Sequence, residues 1–132
     1  MRERITIGGR DVRLDLEEIE GMDEAGARAV EAFLASIEAH AARAKAAVLA
    51  SGDGGARLYY EHHLEECGAE DAGRDFAAFA RKLLPVAVWF AAEDGDDWEA
   101  MIDYSLGEDV TNYVLCARMD PRGEIAEVVM ES

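Results

Sequence analysis

The nine residues YYEHHLEEC, at 59–67, hold two adjacent histidines, three glutamates and a cysteine. Imidazole, carboxylate and thiolate are the groups that ligate transition metals and pass protons. On a helix, residues four apart share a face, which pairs His63 with Cys67 and His62 with Glu66. Such spacing can hold zinc, as in the helical H-E-x-x-H motif. That motif is absent here: Glu61 precedes the histidines and no second histidine follows at the required step. The remaining histidine, His40, would have to arrive from another helix. Adjacent histidines on a helix point about 100° apart and do not naturally grip one ion. No C-x-x-C occurs anywhere. The string therefore reads as a packed or solvent-facing helix, and no metal or cofactor is expected. His63 and Cys67 are the pair a metal would use.

Other chemistries find less support. Cys67 falls at a helix C-terminus, where the dipole disfavours a thiolate. Cys116 lies in a strand and reads as a small core or sheet-face residue. None of the four serines sits in G-x-S-x-G. GDGG at 52–55 lacks the lysine and the context of a phosphate-binding loop. EDGDDWE at 93–99 lacks the register of a calcium loop and reads as a solvated turn, with Trp98 beside it at a sheet face or rim. Carboxylates are so numerous that no pair stands out as acid and base. No residue is assigned as catalytic.

The chain has 132 residues and a net charge of −16, from 29 acids against 13 bases. This length fits one domain, 1–132, with an ordinary core that needs no staple. The acid excess argues against direct binding of nucleic acid, which requires clustered cations, and against anionic membrane surfaces. Solubility, a basic protein partner, mimicry of nucleic acid and adaptation to high salt are its four readings. MRERITIGG lacks an apolar signal core. The longest apolar run, 85–92, is far short of the ~20 residues that span a bilayer. A cytoplasmic location with both cysteines as free thiols is expected.

The elements that would position these residues follow from periodicity. Ile5 and Ile7, then Val12, Leu14 and Leu16, alternate with polar residues around Gly8-Gly9, which predicts a β-hairpin at 3–8 and 11–17. Asp23 can cap a helix in which Val30, Phe33, Ile37, Ala41, Ala44 and Val48 form one face. Unbroken, that helix would be about 40 Å long, so a break is expected near Glu38–His40. A second helical stretch runs over 56–67 and stops at Gly68. A third starts near Asp71 and ends at Pro85. Strands return at 86–91, 100–106, 113–119 and 124–130, the last two joined by the turn DPRG. Strands, helices, then strands predict an α+β fold. Its expected form is an antiparallel sheet of about six strands, the N-terminal hairpin plus four C-terminal strands. The central block, 23–84, would place three or four helices on one face of the strands at 3–17 and 86–130.

LYYEHHLEE and the C-terminal stretch IDYSLGEDVTNYVLCARMDPRGEIAEVVMES together resemble a bacterial family known only as a domain of unknown function, catalogued under the number 2004. The matching residues are Glu61, His62, His63, Asp103, Tyr104, Gly107, Thr111, Asn112, Tyr113 and Met130-Glu131-Ser132. Ser105 stands where the family pattern has threonine. The resemblance spans most of the chain. It implies a small cytoplasmic α+β domain and carries no activity with it.

Two arrangements of the histidines follow. They can hydrogen-bond to a neighbouring strand, with Asp103 and Tyr104 as partners. Alternatively, Glu61, His62, His63, Asp103, Tyr104 and Tyr113 line a functional pocket. Charge and the lack of catalytic motifs favour a non-catalytic module that binds a protein. That partner would be basic, as in an immunity-type role, or a second copy paired at a free sheet edge. The alternative is a small metal-dependent hydrolase built on the Glu-His-His helix.

Overall fold

The computed structural model describes residues 2–51, 55–92 and 97–131. Most of the GDGG loop, the first four residues of EDGDDWE and Ser132 lie outside the described residues. The elements are β1 (Arg2–Ile7), β2 (Arg10–Asp15), a 3₁₀ turn (Glu17–Ile19), α1 (Glu24–Ala35), α2 (Ile37–Leu49), α3 (Ala56–Cys67), α4 (Ala69–Ala72), α5 (Phe76–Lys82), β3 (Leu84–Ala92), β4 (Trp98–Ser105), β5 (Val114–Met119) and β6 (Ile125–Glu131). The fold is α+β, with an open six-stranded sheet in the order β1-β2-β3-β4-β5-β6.

Every neighbouring pair of strands is antiparallel except β2 and β3, which run parallel. The sheet is therefore mixed, not purely antiparallel as expected. Tight turns can join only antiparallel neighbours, whereas a parallel pair needs a long crossover. Residues 16–83 supply one, and β2 and β3 are the pair it joins. The β1–β2 turn is built on Gly8 and Gly9, both at positive φ (59° and 80°), as a two-residue hairpin turn requires.

Helix boundaries follow local chemistry with two corrections. Asp23 caps α1 by accepting from the Gly26 N–H at 2.8 Å. The break between α1 and α2 falls at Ser36, not at 38–40. It leaves Phe33 and Ile37, one on each helix, both in the core. The helix expected from Asp71 to Pro85 is divided into α4 and α5 by Gly73 at φ 110°. Asp75, not Asp71, caps the longer piece through the Ala78 N–H. Pro85 lies within β3, at a register shift between Pro85 and Ala87, where its missing N–H is tolerated.

Alternation along the strands splits the sheet into two faces. Val12, Leu14, Val88, Phe90, Ala100, Ile102, Tyr104, Leu115, Ala117 and Met119 join one buried cluster with Phe33, Val48, Tyr59 and Phe79 of the helices. Trp98 belongs to this core and stands edge-on to Phe33 and Phe90; it is not a rim residue. His40 stacks on Phe33 with centroids 4.1 Å apart and packs against Gly123 of the DPRG turn. A Cβ at Gly123 would collide with the imidazole, so the position requires glycine for space as well as for its positive φ. Arg43 Nη1 donates to the Gly123 carbonyl at 3.1 Å, tying the turn to α2.

A polar contact ties the sheet to the helices in the interior. The Tyr104 hydroxyl donates to the Ala41 carbonyl at 2.6 Å. Burial raises its pKa, so it remains a donor. Tyr104→Phe is expected to cost about 1 kcal/mol, read as a lower midpoint in urea with an unchanged slope. No loss of stability would show that this bond adds nothing to the α2–β4 contact.

Candidate functional site

α3 presents YYEHHLEEC with Tyr59, Tyr60 and His63 inward and Glu61, Glu65 and Glu66 in solvent. His63 is 1 % exposed. Its Nδ1 lies 2.7 Å from the Tyr59 carbonyl. A carbonyl only accepts, so Nδ1 carries the hydrogen. Nε2 then accepts from the Thr111 hydroxyl at 2.8 Å, and the Thr111 oxygen in turn accepts from the Tyr113 N–H at 3.0 Å. The Tyr59 hydroxyl closes the circuit by donating to the Tyr113 carbonyl at 2.7 Å. Burial lowers the His63 pKa, against the opposing effect of its bond to the Tyr59 carbonyl; the ring is a neutral Nδ1–H imidazole. His62 is half-buried and stands edge-on to Tyr113, with centroids 5.2 Å apart.

The six residues proposed as a pocket are thus divided. His62, His63 and Tyr113 meet. Glu61 points to solvent. Tyr104 is in the core, and Asp103, next along the strand, projects from the opposite face of the sheet. The hydrogen-bond partners of His63 are Thr111 and Tyr59, not Asp103 or Tyr104. Tyr59 had a signal in sequence, standing one helical turn before His63. Thr111 had only its place in the T-N-Y phrase. Both ring nitrogens of His63 are used by the protein, so a metal shared with half-buried Cys67 would have to break one of these bonds. Among the described residues, no three of His, Cys, Asp and Glu converge as metal ligands.

Asp103 belongs to the uncovered face of the sheet. Strand register lays two rows of side chains across that face. One runs Arg13, Ala87, Asp103, Cys116, Val129; the other runs Asp15, Trp89, Met101, Arg118, Glu127. Ala87, Met101 and Cys116 are buried yet stand apart from the cluster that the helices share with the sheet. Arg118 lies beside Met101 and binds Glu99 at 2.6 Å and Glu127 at 2.8 Å. Trp89, half-buried, donates from Nε1 to Asp103 Oδ2 at 3.2 Å. Asp103 Oδ1 is buried without a hydrogen bond of ordinary geometry. The Cys116 thiol, a weak donor, supplements Trp89 there, and Arg13 attracts the carboxylate through space. Burial pushes the Asp103 pKa up against both bonds, and burial also pushes up that of the Cys116 thiol. A concavity of about 280 Å³ opens between Arg13, Asp15, Ala87, Trp89 and Asp103.

No family model, curated protein or solved structure matches the chain.

Two outcomes are expected. Thr111→Val leaves His63 Nε2 and the Tyr113 N–H without their partner and should cost about 1–3 kcal/mol in urea denaturation. The unfolded chain protonates His63 near its ordinary value of 6.5, whereas the folded chain resists until lower pH. Stability should therefore fall as pH drops below 6.5, and a His63→Leu variant should lose that part of the dependence. Asp103 has the opposite sign. The folded state holds its proton to higher pH than the unfolded chain, so its ionisation subtracts stability as pH rises. Asp103→Asn should melt above the parent at neutral pH, with the gain vanishing below the ordinary 3.8. A gain that did not change with pH would remove Asp103 as its source.

Proposed function

We propose that this chain is a non-catalytic binding module that engages a basic protein partner; its kinship with the family of unknown function, on the residues quoted above, is part of the proposal. The observation that carries the reading is the placement of charge. Every described aspartate and glutamate keeps some exposure to solvent. Arg4, Arg13, Arg28, Arg118 and Arg122 already face carboxylates of the chain itself. The acid excess of 16 charges is thus a surface field within which these five arginines are already paired. Such a field steers a basic partner into encounter and rejects acidic ones. An immunity-type module that neutralises a basic toxin is one concrete version. The His63 network supports the reading from the other side, since its polar atoms hold structure together. Among the described residues, no helix is long and apolar enough to cross a membrane.

The test is chemical cross-linking and co-purification from the cells that make the protein, then titration of the isolated pair. A basic partner is expected, with affinity falling about tenfold or more between roughly 50 and 300 mM salt. A neutral or acidic partner, or an affinity indifferent to salt, would overturn the reading.

A further inference from the structure

The uncovered face of the sheet combines features that the helical side does not. Its centre is apolar: Trp89, Ala91 and Val129 are half-buried above the fully buried Met101 and Cys116. Its margin carries more acid than base, with Asp15, Glu99, Asp103, Glu127 and Glu131 on the strands around that centre against Arg118, Arg13 and, beside Arg13 on β1, Arg4. An apolar centre inside a polar rim is the anatomy of a protein-binding patch. The sign of the rim selects the occupant.

Trp89 adds specificity. Its indole N–H donates to the Asp103 carboxylate, which enriches the ring in electron density and improves its face as a seat for a cation. The same indole walls two adjoining concavities, of about 280 Å³ toward Asp15 and Asp103 and about 360 Å³ toward Met101 and Val129. Arg13, the cation at the edge of the first, leans toward Glu108 at 3.9 Å. Arg118, in the second, is held by Glu99 and Glu127. A second copy of the chain would bring another 16 negative charges to a face that is already acidic, so face-to-face self-association is opposed by charge.

We infer that the uncovered sheet face is the docking surface, and that a basic segment of the partner lies across it with an arginine or lysine side chain seated on the Trp89 indole beside Asp103 and Asp15. This rests on the reading of the chain as a module for a basic partner. The partner's cation supplies what the carboxylate lacks within the fold, and its apolar neighbours cover Ala91 and Val129.

The probe is a capped peptide of alternating arginine and valine, titrated at low salt into isotopically labelled protein and followed by NMR. The Trp89 indole N–H and the amides of β3, β4, β5 and β6 are expected to shift together. Trp89→Leu keeps an apolar cover and removes the π face; Asp103→Asn keeps an acceptor for residue 89 and removes the charge. Each should weaken binding about threefold to fivefold. The double variant Glu65→Gln/Glu66→Gln, which removes two charges from the exposed side of α3, should change it less than about twofold. Shifts centred on α3 and α4, or equal losses from every acid removed, would overturn the assignment to this face while leaving an acidic module in place. Dimerisation that buries Trp89 in the absence of peptide would overturn the choice of occupant. No shift anywhere at low salt would count against the module itself. The spectra of the variants report whether each remains folded before any affinity is compared.

Discussion

His63 donates from one ring nitrogen to the Tyr59 carbonyl of its own helix and accepts through the other from the Thr111 hydroxyl. The connection between β4 and β5, residues 106–113, depends on that bond. It has little regular structure and only a partial share in the core. Thr111 passes the contact on to the Tyr113 N–H, and Tyr59 returns it through the Tyr113 carbonyl. Each polar atom in the circuit has a partner, so burying a histidine here costs far less than burying one unpaired. The string that looked most like chemistry is in this way part of the fold's bracing.

A second constraint comes from having helices on one side only. The helical side of the sheet buries a continuous apolar surface. The other side must manage with its own side chains, and it does so through cross-strand pairs. Arg118 lies over Met101 between two glutamates, and Trp89 leans on Asp103. Side chains of this kind bury their stems and keep their polar ends at the surface. The result is a face dry enough to have an apolar centre and charged enough to stay in water. Asp103 bears the cost, since its burial opposes its ionisation.

β4 divides these two sides of the sheet. Tyr104 turns inward to Ala41 of α2, and Asp103 turns outward to Trp89. A pocket containing both Asp103 and His63 is ruled out by the period of a strand. The histidines do not face a carboxylate pair, and Asp103, whose pKa burial raises, does not face a histidine. The uncovered face and the bracing under α3 are thus physically separate, and a substitution in one leaves the other's contacts in place.

Periodicity, caps and turn residues are local properties, and they were legible. Gly8-Gly9, the Asp23 cap, the stop at Gly68 and the DPRG turn each act within a few residues of themselves, so the string of letters suffices to find them. The α+β class follows from the order of elements. The direction of β3 relative to β2 was not legible, because it depends on where the helical crossover returns to the sheet. The partner of His63 Nε2 was not legible either. It lies 48 residues away at Thr111, in a connection whose path only the packed sheet fixes. The same holds for the uncovered face: alternation in β4 separates Asp103 from Tyr104, but which of the two sets meets the helices is decided by packing. The sequence by itself determined the elements and the charge, because backbone sterics and ionisation are local. Tertiary structure decided which polar groups are satisfied inside and which stay at the surface, because burial is a property of the whole fold.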